Sequence, residues 1–400
     1  MVALARVYKA PGRTRRRQTV CIPLKPHSRS LSPLRMRTLY LLLLATCAFA
    51  ADIVDPKDCK EFPCLIFNDE FDFLDHDVWE HEVTMSGGGN WEFQVYVNNR
   101  SISYARDSTL FIRPGLVSEW KGESFLTSGN LNLWGMNGRG DVCTGNAYWG
   151  CDRTGTADNL INPIMSARLR TMSDFAFKYG RIEVRAKMPR GDWLWPAVWM
   201  LPRNWPYGLW PASGEIDIVE SRGNDDYGDL GNQFGGTTMH WGPFWPLNKY
   251  DLTHVEYKAS DGSFANSFHT WRVDWTKDKI EAYVDDVLMM TADPGTSFWD
   301  FGGFGDGIDN IWNSGDKMAP FDQKFYVILN LAVGGTGGFF PDGILDPKPW
   351  SNTSPTAFKD FWSARADWLP TWQQGESRIS EKAALQVDYV KVWKMESAEQ

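Results

Sequence analysis

Three carboxylates interrupt a run of strand-forming residues in the segment Gly214-Glu215-Ile216-Asp217-Ile218-Val219-Glu220. Isoleucine and valine favour strands, and alternate side chains of a strand point to opposite faces, so Glu215 and Asp217 should lie side by side. Glu220 breaks this period, and in a regular strand it would point into the apolar core. We therefore predict a β-bulge between Asp217 and Glu220, which would bring all three acids to one surface.

Acids in this arrangement favour glycoside hydrolysis. One carboxylate attacks the anomeric carbon and another protonates the leaving oxygen, and a retaining enzyme needs the two about 5–5.5 Å apart. Glu215 and Glu220 can come this close only if their side chains lean together over Asp217 on a concave sheet. Asp217 would then orient Glu215 and tune the proton affinities of the group. The alternative is an exposed strand whose acids simply face water.

The acidic segment resembles glycoside hydrolase family 16, and in particular its endo-β-1,3-glucanases, the laminarinases. The resemblance covers roughly residues 60 to 394 and includes the segments 89–96, 166–171, 179–187, 195–201, 210–213, 330–335 and 387–393. It implies that Glu215 is the nucleophile and Glu220 the general acid/base, with Asp217 assisting. It also implies a jelly-roll sandwich.

Two functions remain open from the sequence. The first is an endo-β-1,3-glucanase that hydrolyses laminarin-type glucan by retaining double displacement. The second is a β-1,3-glucan recognition protein that binds without hydrolysis, since invertebrate recognition proteins resemble the same fold but have lost catalytic acids. The presence of all three acids favours the enzyme, as does our expectation that the chain has no extra amino-terminal module of the kind such proteins carry.

Residues 36–50 have the charged start, the apolar run and the small-residue cleavage site of a secretory signal peptide. We predict cleavage after Ala50 and a secreted, extracellular protein. Residues 1–35 are interpreted as a non-native or disordered leader, with Met36 as the true start; a transit peptide or a basic nucleic-acid-binding arm is the alternative. Residues 51–400 contain no evident linker, so we predict one catalytic domain.

The charge balance narrows the class of partner. The ten basic residues of 1–50 have no acidic counterpart, so their removal changes the formal charge from −9 to −19. A strongly negative net charge disfavours binding to nucleic acid, to an anionic membrane and to sulfated galactans, although a local basic groove could outweigh the net charge. We expect a neutral polysaccharide substrate, β-1,3-glucan, and a monomeric protein.

Four cysteines follow the predicted leader. An oxidising compartment favours pairing, and the short spacings favour Cys59–Cys64 and Cys143–Cys151 among the three possible connectivities; a zinc site is the alternative. Asn99 and Asn352 are predicted glycosylation sites. We expect no metal or cofactor in catalysis, and a structural calcium ion with unassigned ligands stays an open alternative.

Strand-like runs separated by glycine- and proline-rich loops predict an all-β fold, a concanavalin-like jelly-roll β-sandwich with a concave substrate cleft. Helix signals are few, and we expect one short turn within 355–364. Aromatic rings stack on sugar rings, so the 21 tryptophans suggest carbohydrate binding. The predicted sugar-binding residues are Trp195, Trp199, Trp210, His240, Asn90, Glu92 and Arg170; one of Trp195 and Trp199 could instead face inward, and His240 could bond a catalytic carboxylate.

Overall fold

Two large antiparallel sheets form the body of the protein. The computed structural model describes residues 19–21, 47–135, 142–305, 307–344 and 348–396. The seven-stranded sheet has the spatial order His254–Lys258, Phe234–His240, Glu215–Ser221, Leu194–Pro202, Phe325–Val333, Arg168–Arg170, Glu80–His81. Seven strands of the nine-stranded sheet follow one another in the order Val287–Ala292, Ile280–Val284, His269–Trp275, Gly180–Lys187, Leu385–Lys394, Cys64–Asp69, Asp52–Ile53. The other two strands branch from this row: Leu110–Ile112 pairs with Leu385–Lys394, and Ser103–Ala105 pairs with Leu110–Ile112.

Smaller elements surround these sheets. Gln94–Tyr96, Ile164–Ser166 and Gly115–Leu116 form a three-stranded sheet, and Asn130–Asn132 pairs with Asp152–Thr154. The α-helices are Val117–Lys121, Phe125–Ser128, Phe298–Gly302, Ala357–Ser363 and Arg365–Gln373. Short 3-10 turns occur at Pro56–Asp58, Gly87–Gly89, Ala147–Trp149, Trp245–Leu247, Tyr250–Leu252 and Glu381–Ala383.

Burial alternates along the nine-stranded sheet. In Gly180–Lys187 and His269–Trp275 every second side chain is buried, as expected for strands with one face on a core. Trp271 from this sheet reaches the facing strand at Gly235, where an added Cβ would lie 2.5 Å from its indole. Glycine is thus needed where the two layers meet. The predicted all-β sandwich is confirmed.

The two central strands of the seven-stranded sheet are covered on both faces. Phe325–Val333 is buried along its whole length, and Leu194–Pro202 is buried everywhere except at Trp195 and Trp199. On the face away from the main core, Leu201, Tyr326 and Ile328 form a separate apolar cluster against which Trp199 packs. This outer face, rather than the interior of the sandwich, can present polar groups to a ligand.

The helical content was underestimated from sequence. The predicted turn within 355–364 is the helix Ala357–Ser363, but a second helix, Arg365–Gln373, follows directly and was not expected. Pro370 lies inside this helix and weakens its sequence signal. Tertiary packing stabilises it instead, because Trp368 stacks on Phe361 with ring centroids 4.5 Å apart.

Both predicted disulfides are present. The Cα atoms are 5.9 Å apart in Cys59–Cys64 and 5.6 Å apart in Cys143–Cys151. Glycosylation at Asn99 and Asn352 stays a prediction. The side-chain oxygen of Asn99 accepts a hydrogen bond from the Ser101 backbone N–H. The side-chain nitrogen of Asn352 donates to the Phe340 carbonyl oxygen at 3.0 Å.

The predicted leader falls mostly outside the described residues. Within it, Thr19–Cys21 pairs antiparallel with Cys47–Phe49. The signal peptide and its cleavage site therefore stay predictions. Among the described residues, no helix has both the length and the apolar character needed to cross a membrane.

Candidate active site

A β-bulge brings the three acids together on Glu215–Ser221, which we call the acidic strand. Asp217 pairs with Thr238 and Glu220 pairs with Gly236, so the acidic strand has one more residue than its neighbour between these two pairs. Its register with the strand on the other side, Leu194–Pro202, shifts at the same place. The predicted bulge is confirmed, and it turns Glu220 away from the apolar core.

Each acid of this strand has a defined neighbour. The Trp195 indole N–H donates to Glu220 Oε1 at 2.7 Å. His240 lies beside the other two acids, with its Nε2 3.3 Å from Asp217 Oδ2 and 3.7 Å from Glu215 Oε1. Asp217 is buried, whereas Glu215 and Glu220 are partly exposed. The outer acids can therefore meet a ligand while Asp217 lies beneath them.

Burial and mutual repulsion raise the proton affinities of all three acids. Burial and the nearby charge of Asp217 raise the pKa of Glu215 to about 8. Burial and the charge of Glu220 raise the pKa of Asp217 well above its usual range. Burial also raises the pKa of Glu220, although the bond from Trp195 opposes this. At neutral pH the three carboxyls are therefore not all ionised, and they share the protons that remain bound. A retaining glycosidase needs such a mixed state, with an ionised nucleophile beside a protonated acid.

The orientation of His240 is fixed by Asn248. The Asn248 side-chain oxygen accepts from the Trp241 amide at 3.2 Å, so its NH2 group faces His240 Nδ1, 2.8 Å away. A donor at Nδ1 leaves the imidazole proton on Nε2, which points towards Asp217 and Glu215. His240 thus directs this N–H at the acid pair, although Asp217 Oδ2 is a buried oxygen without a hydrogen-bond partner among the described residues. Its electrostatic effect opposes the rise in the pKa of Glu215, which favours the ionised form of that carboxyl.

Three of the predicted sugar-binding residues surround the acids. Trp195 stacks on Phe339 with ring centroids 3.9 Å apart and planes 4° from parallel, so Phe339 covers one face of the indole. The guanidinium of Arg222 lies 4.0 Å from the Phe339 ring centroid. Trp210 lies 5.5 Å from His240, ring to ring. Trp195, Trp210 and His240 therefore form the immediate walls of the acid site.

Trp199 occupies the same outer face but is more constrained. Its indole N–H donates to Asn330 Oδ1 at 2.6 Å, and the guanidinium of Arg168 lies 4.5 Å from its ring centroid. These contacts hold the ring in place from two sides. Trp199 as a sugar platform stays a prediction.

The remaining predicted polar ligands bond to one another or to their neighbours. Glu92 is buried and accepts from Gln94 at 2.6 Å and from Asn90 at 3.4 Å. Arg170 pairs with Glu80 at 2.9 Å and with Glu82 at 3.2 Å. These residues support the loops and the far strands of the sheet, and direct contact between them and a sugar stays a prediction.

Sequence reasoning missed Asn248, Phe339 and Arg222. Asn248 and Phe339 lie outside the strands, and neither stands at a position that a strand period could predict. Asn330, which bonds to Trp199, was within reach, because it belongs to the 330–335 segment that carries the family resemblance.

In the residues that the structure describes, the acid site is the one place with side chains grouped as metal ligands would be. Within the described part of the chain, Glu215, Asp217 and His240 are the one group of three or more His, Cys, Asp or Glu side chains that could surround an ion, with ligand atoms within 4.8 Å of one another. The structural calcium ion, whose ligands were unassigned, stays an open expectation.

The raised pKa of Glu215 predicts a pH-dependent stability. In the unfolded chain this carboxyl ionises near pH 4, so the folded chain binds its proton more tightly across roughly pH 4 to 8. The stabilisation is complete below this window and is lost as pH rises through it, by up to about 1.4 kcal/mol per pH unit. Glu215→Gln should therefore melt near the wild-type temperature at pH 4.5 and above it at pH 8.5.

Thermal melts of both proteins at several pH values measure this difference. The comparison with wild type cancels the opposite contribution of His81, whose pKa burial lowers to about 3. A difference in melting temperature that does not change with pH would contradict the prediction.

Comparisons with known proteins identify the family of the chain. Residues 152–302 match the family described as glycosyl hydrolases family 16. A β-1,3-glucan-binding protein of Penaeus monodon is 74% identical over 360 residues, which are 90% of this chain and 98% of that protein. A glucan endo-1,3-β-glucosidase of Cryptopygus antarcticus is 33% identical over 334 residues, 82% of this chain and 97% of that protein.

A solved structure shares the fold. The catalytic domain of an endo-1,3-β-glucanase (laminarinase) from Thermotoga petrophila superposes with a TM-score of 0.51 at 23% identity, over 83% of this chain and 98% of that one. At this identity the likeness concerns architecture alone. With the family match and the relatives of similar length, it leads to one conclusion: the chain belongs to glycosyl hydrolase family 16.

Proposed function

We propose that the protein is a secreted endo-β-1,3-glucanase that hydrolyses laminarin-type glucan with retention of configuration. The observation that carries the proposal is the bulged acidic strand, on which Glu215 and Glu220 share one surface but have different partners. His240 Nε2 lies 3.7 Å from Glu215 and 3.3 Å from Asp217, whereas the Trp195 indole N–H donates a hydrogen bond to one oxygen of Glu220. Two carboxyls whose surroundings differ in this way suit two different roles.

The roles follow from these different surroundings. With Oε1 of Glu220 bonded to Trp195, its other oxygen can carry a proton and give it to the glycosidic oxygen as the bond breaks. Glu215, whose ionised form His240 favours, attacks the anomeric carbon and forms a covalent glycosyl ester. Glu220 then removes a proton from water, and the resulting hydroxide displaces Glu215 to give a product with the original β configuration.

The choice of β-1,3-glucan rests on relatives. The Penaeus protein is named for binding this glucan and the Cryptopygus protein for hydrolysing it. Incubating the secreted protein with laminarin, lichenan and agarose, and sizing the products, tests the choice. We expect short oligosaccharides from laminarin and slower release from lichenan. Cleavage of agarose without cleavage of laminarin would contradict the substrate.

A second candidate function is glucan recognition without hydrolysis. It is favoured by the name of the 74% identical Penaeus relative, which is a binding protein. Against it stands the cost of holding three mutually repelling carboxyls in a buried group, which a binding protein does not need. Glucan binding with no product after prolonged incubation would favour this second function.

Asp217→Asn should cause a partial loss of activity. Asp217 is buried beneath Glu215 and Glu220, and its charge raises the pKa of Glu215. We expect kcat on laminarin to fall roughly 10- to 100-fold, less than the loss of a general acid or base, which contributes about 10²–10⁴-fold. The pH optimum should move to lower pH, because Glu215 ionises more readily without the neighbouring charge.

Kinetics measured from pH 4 to 9 test this role. An unshifted profile with unchanged kcat would mean that Asp217 does not tune Glu215. The conservative variant Asp217→Glu, which restores the charge, should shift the optimum back towards that of the wild type.

A further inference from the structure

A basic pocket lies on the nine-stranded sheet, whereas the acidic strand belongs to the seven-stranded sheet. This open pocket has a volume of about 760 Å³ and lies beside the strands Ser103–Ala105 and Leu110–Ile112. Five basic side chains line it, against two acidic ones, which gives it a formal charge of +3. The basic residues are Arg100, Arg106, Arg113, Arg378 and Lys382. The full chain has a formal charge of −9, so this local excess runs against its overall composition.

Among the described residues, no ion pair neutralises Arg113, Arg378 or Lys382. Glu381 accepts a hydrogen bond from the Tyr104 hydroxyl at 2.6 Å and forms an ion pair with Arg106. Burial would raise the pKa of Glu381, but these two bonds outweigh it and lower the pKa. Glu381 therefore stays ionised and neutralises Arg106. Arg113 donates to the carbonyl oxygens of Ile379 at 3.0 Å and Ser101 at 3.2 Å. Since carbonyl groups are uncharged, the positive charge of Arg113 has no counterion in these contacts.

The cations at the mouth of the pocket are similarly uncompensated. In the part of the chain that the structure describes, neither Arg378 nor Lys382 forms an ion pair, and both are exposed. Together with burial, the charge of Lys382 also lowers the pKa of Lys187, so like charges are crowded here. An anion that entered the pocket would relieve this repulsion.

The lining indicates what kind of anion fits. Guanidinium groups bind sulfate, phosphate and carboxylate oxygens in pairs through their planar array of N–H donors. Tyr104 and Phe111, stacked with ring centroids 5.2 Å apart, give the same pocket an aromatic wall, a surface that suits the apolar face of a sugar ring. We propose that this pocket binds an anionic saccharide bearing sulfate or phosphate groups, independently of the acid site.

Titration calorimetry with two probes tests the proposal, using a heparin-derived hexasaccharide for sulfate and a phosphorylated mannan oligosaccharide for phosphate. We expect the wild type to bind at least one probe, more weakly as salt increases. The double variant Arg378→Ala/Lys382→Ala should bind that probe at least about 10-fold more weakly, because its two uncompensated cations are gone. The control Lys57→Ala/Lys60→Ala removes the same charge from exposed positions elsewhere and should bind as the wild type does.

The outcomes separate this site from the acid site. Laminarin hydrolysis should be unchanged in both double variants, and laminarin oligosaccharides should not displace the anionic probe. Binding of one probe alone supports the pocket and identifies the anion. Failure of both probes to bind, an equal loss in the control, or displacement by laminarin oligosaccharides would overturn the proposal without affecting the test of hydrolysis.

Discussion

Glu215→Gln should reduce kcat on laminarin by about 10⁴-fold or more, while the affinity for laminarin oligosaccharides stays close to that of the wild type. The amide keeps the shape of the carboxylate but cannot form the covalent glycosyl ester. It also lacks the negative charge that Asp217 and Glu220 oppose, so the variant should fold at least as well as the wild type. Steady-state kinetics and calorimetric binding measure the two effects separately.

A control on the opposite sheet distinguishes chemistry from a general effect of charge. Glu281 lies in Ile280–Val284 of the nine-stranded sheet, where it pairs with Lys279 at 2.7 Å. Glu281→Gln removes the same charge and should leave both kcat and glucan affinity unchanged. Undiminished hydrolysis by Glu215→Gln would mean that another group is the nucleophile.

Glu220→Ala should reduce hydrolysis of laminarin by about 10²–10⁴-fold but spare the first step on an activated aryl glycoside, whose leaving group needs no proton. The second step would then be slow, because no base activates water. Added azide needs no base and fits the space left by the truncated side chain. It should accelerate turnover and give a β-configured glycosyl azide.

The configuration of the azide product assigns the two roles. Glu215→Ala, tested in parallel, should give the α-configured azide if it reacts, because azide then attacks the substrate directly and inverts the anomeric centre. The reverse pattern, a β-azide from the Glu215 variant and an α-azide from the Glu220 variant, would exchange nucleophile and acid/base.

The bulge could be predicted because it leaves a trace in the sequence. Glu220 lies five positions after Glu215, an odd number, along a strand whose period is two, and a buried unpaired carboxylate costs several kcal/mol. One extra residue between Asp217 and Glu220 removes that cost, as the observed register shows. The disulfides were predictable for a similar reason, since only short loops join Cys59 to Cys64 and Cys143 to Cys151.

The surroundings of the acids were not predictable to the same extent. Asn248 sets the His240 tautomer, and Phe339 covers one face of Trp195, yet both residues belong to loops whose path depends on the finished sandwich. Trp199 has the sequence context of a sugar platform, but its contacts with Asn330 and Arg168 arise from strands distant in sequence. The helix Arg365–Gln373 was missed because packing, rather than helix propensity, stabilises it.

Retaining hydrolysis at the acidic strand is tested most directly by proton NMR of freshly formed products. Laminarin oligosaccharides are digested with enough wild-type protein to finish before the anomers interconvert, and the anomeric signals of the new reducing ends are followed. We expect the β-anomer to appear first and the α-anomer to follow by mutarotation. First appearance of the α-anomer, or no new reducing end from a correctly folded protein, would contradict retaining hydrolysis.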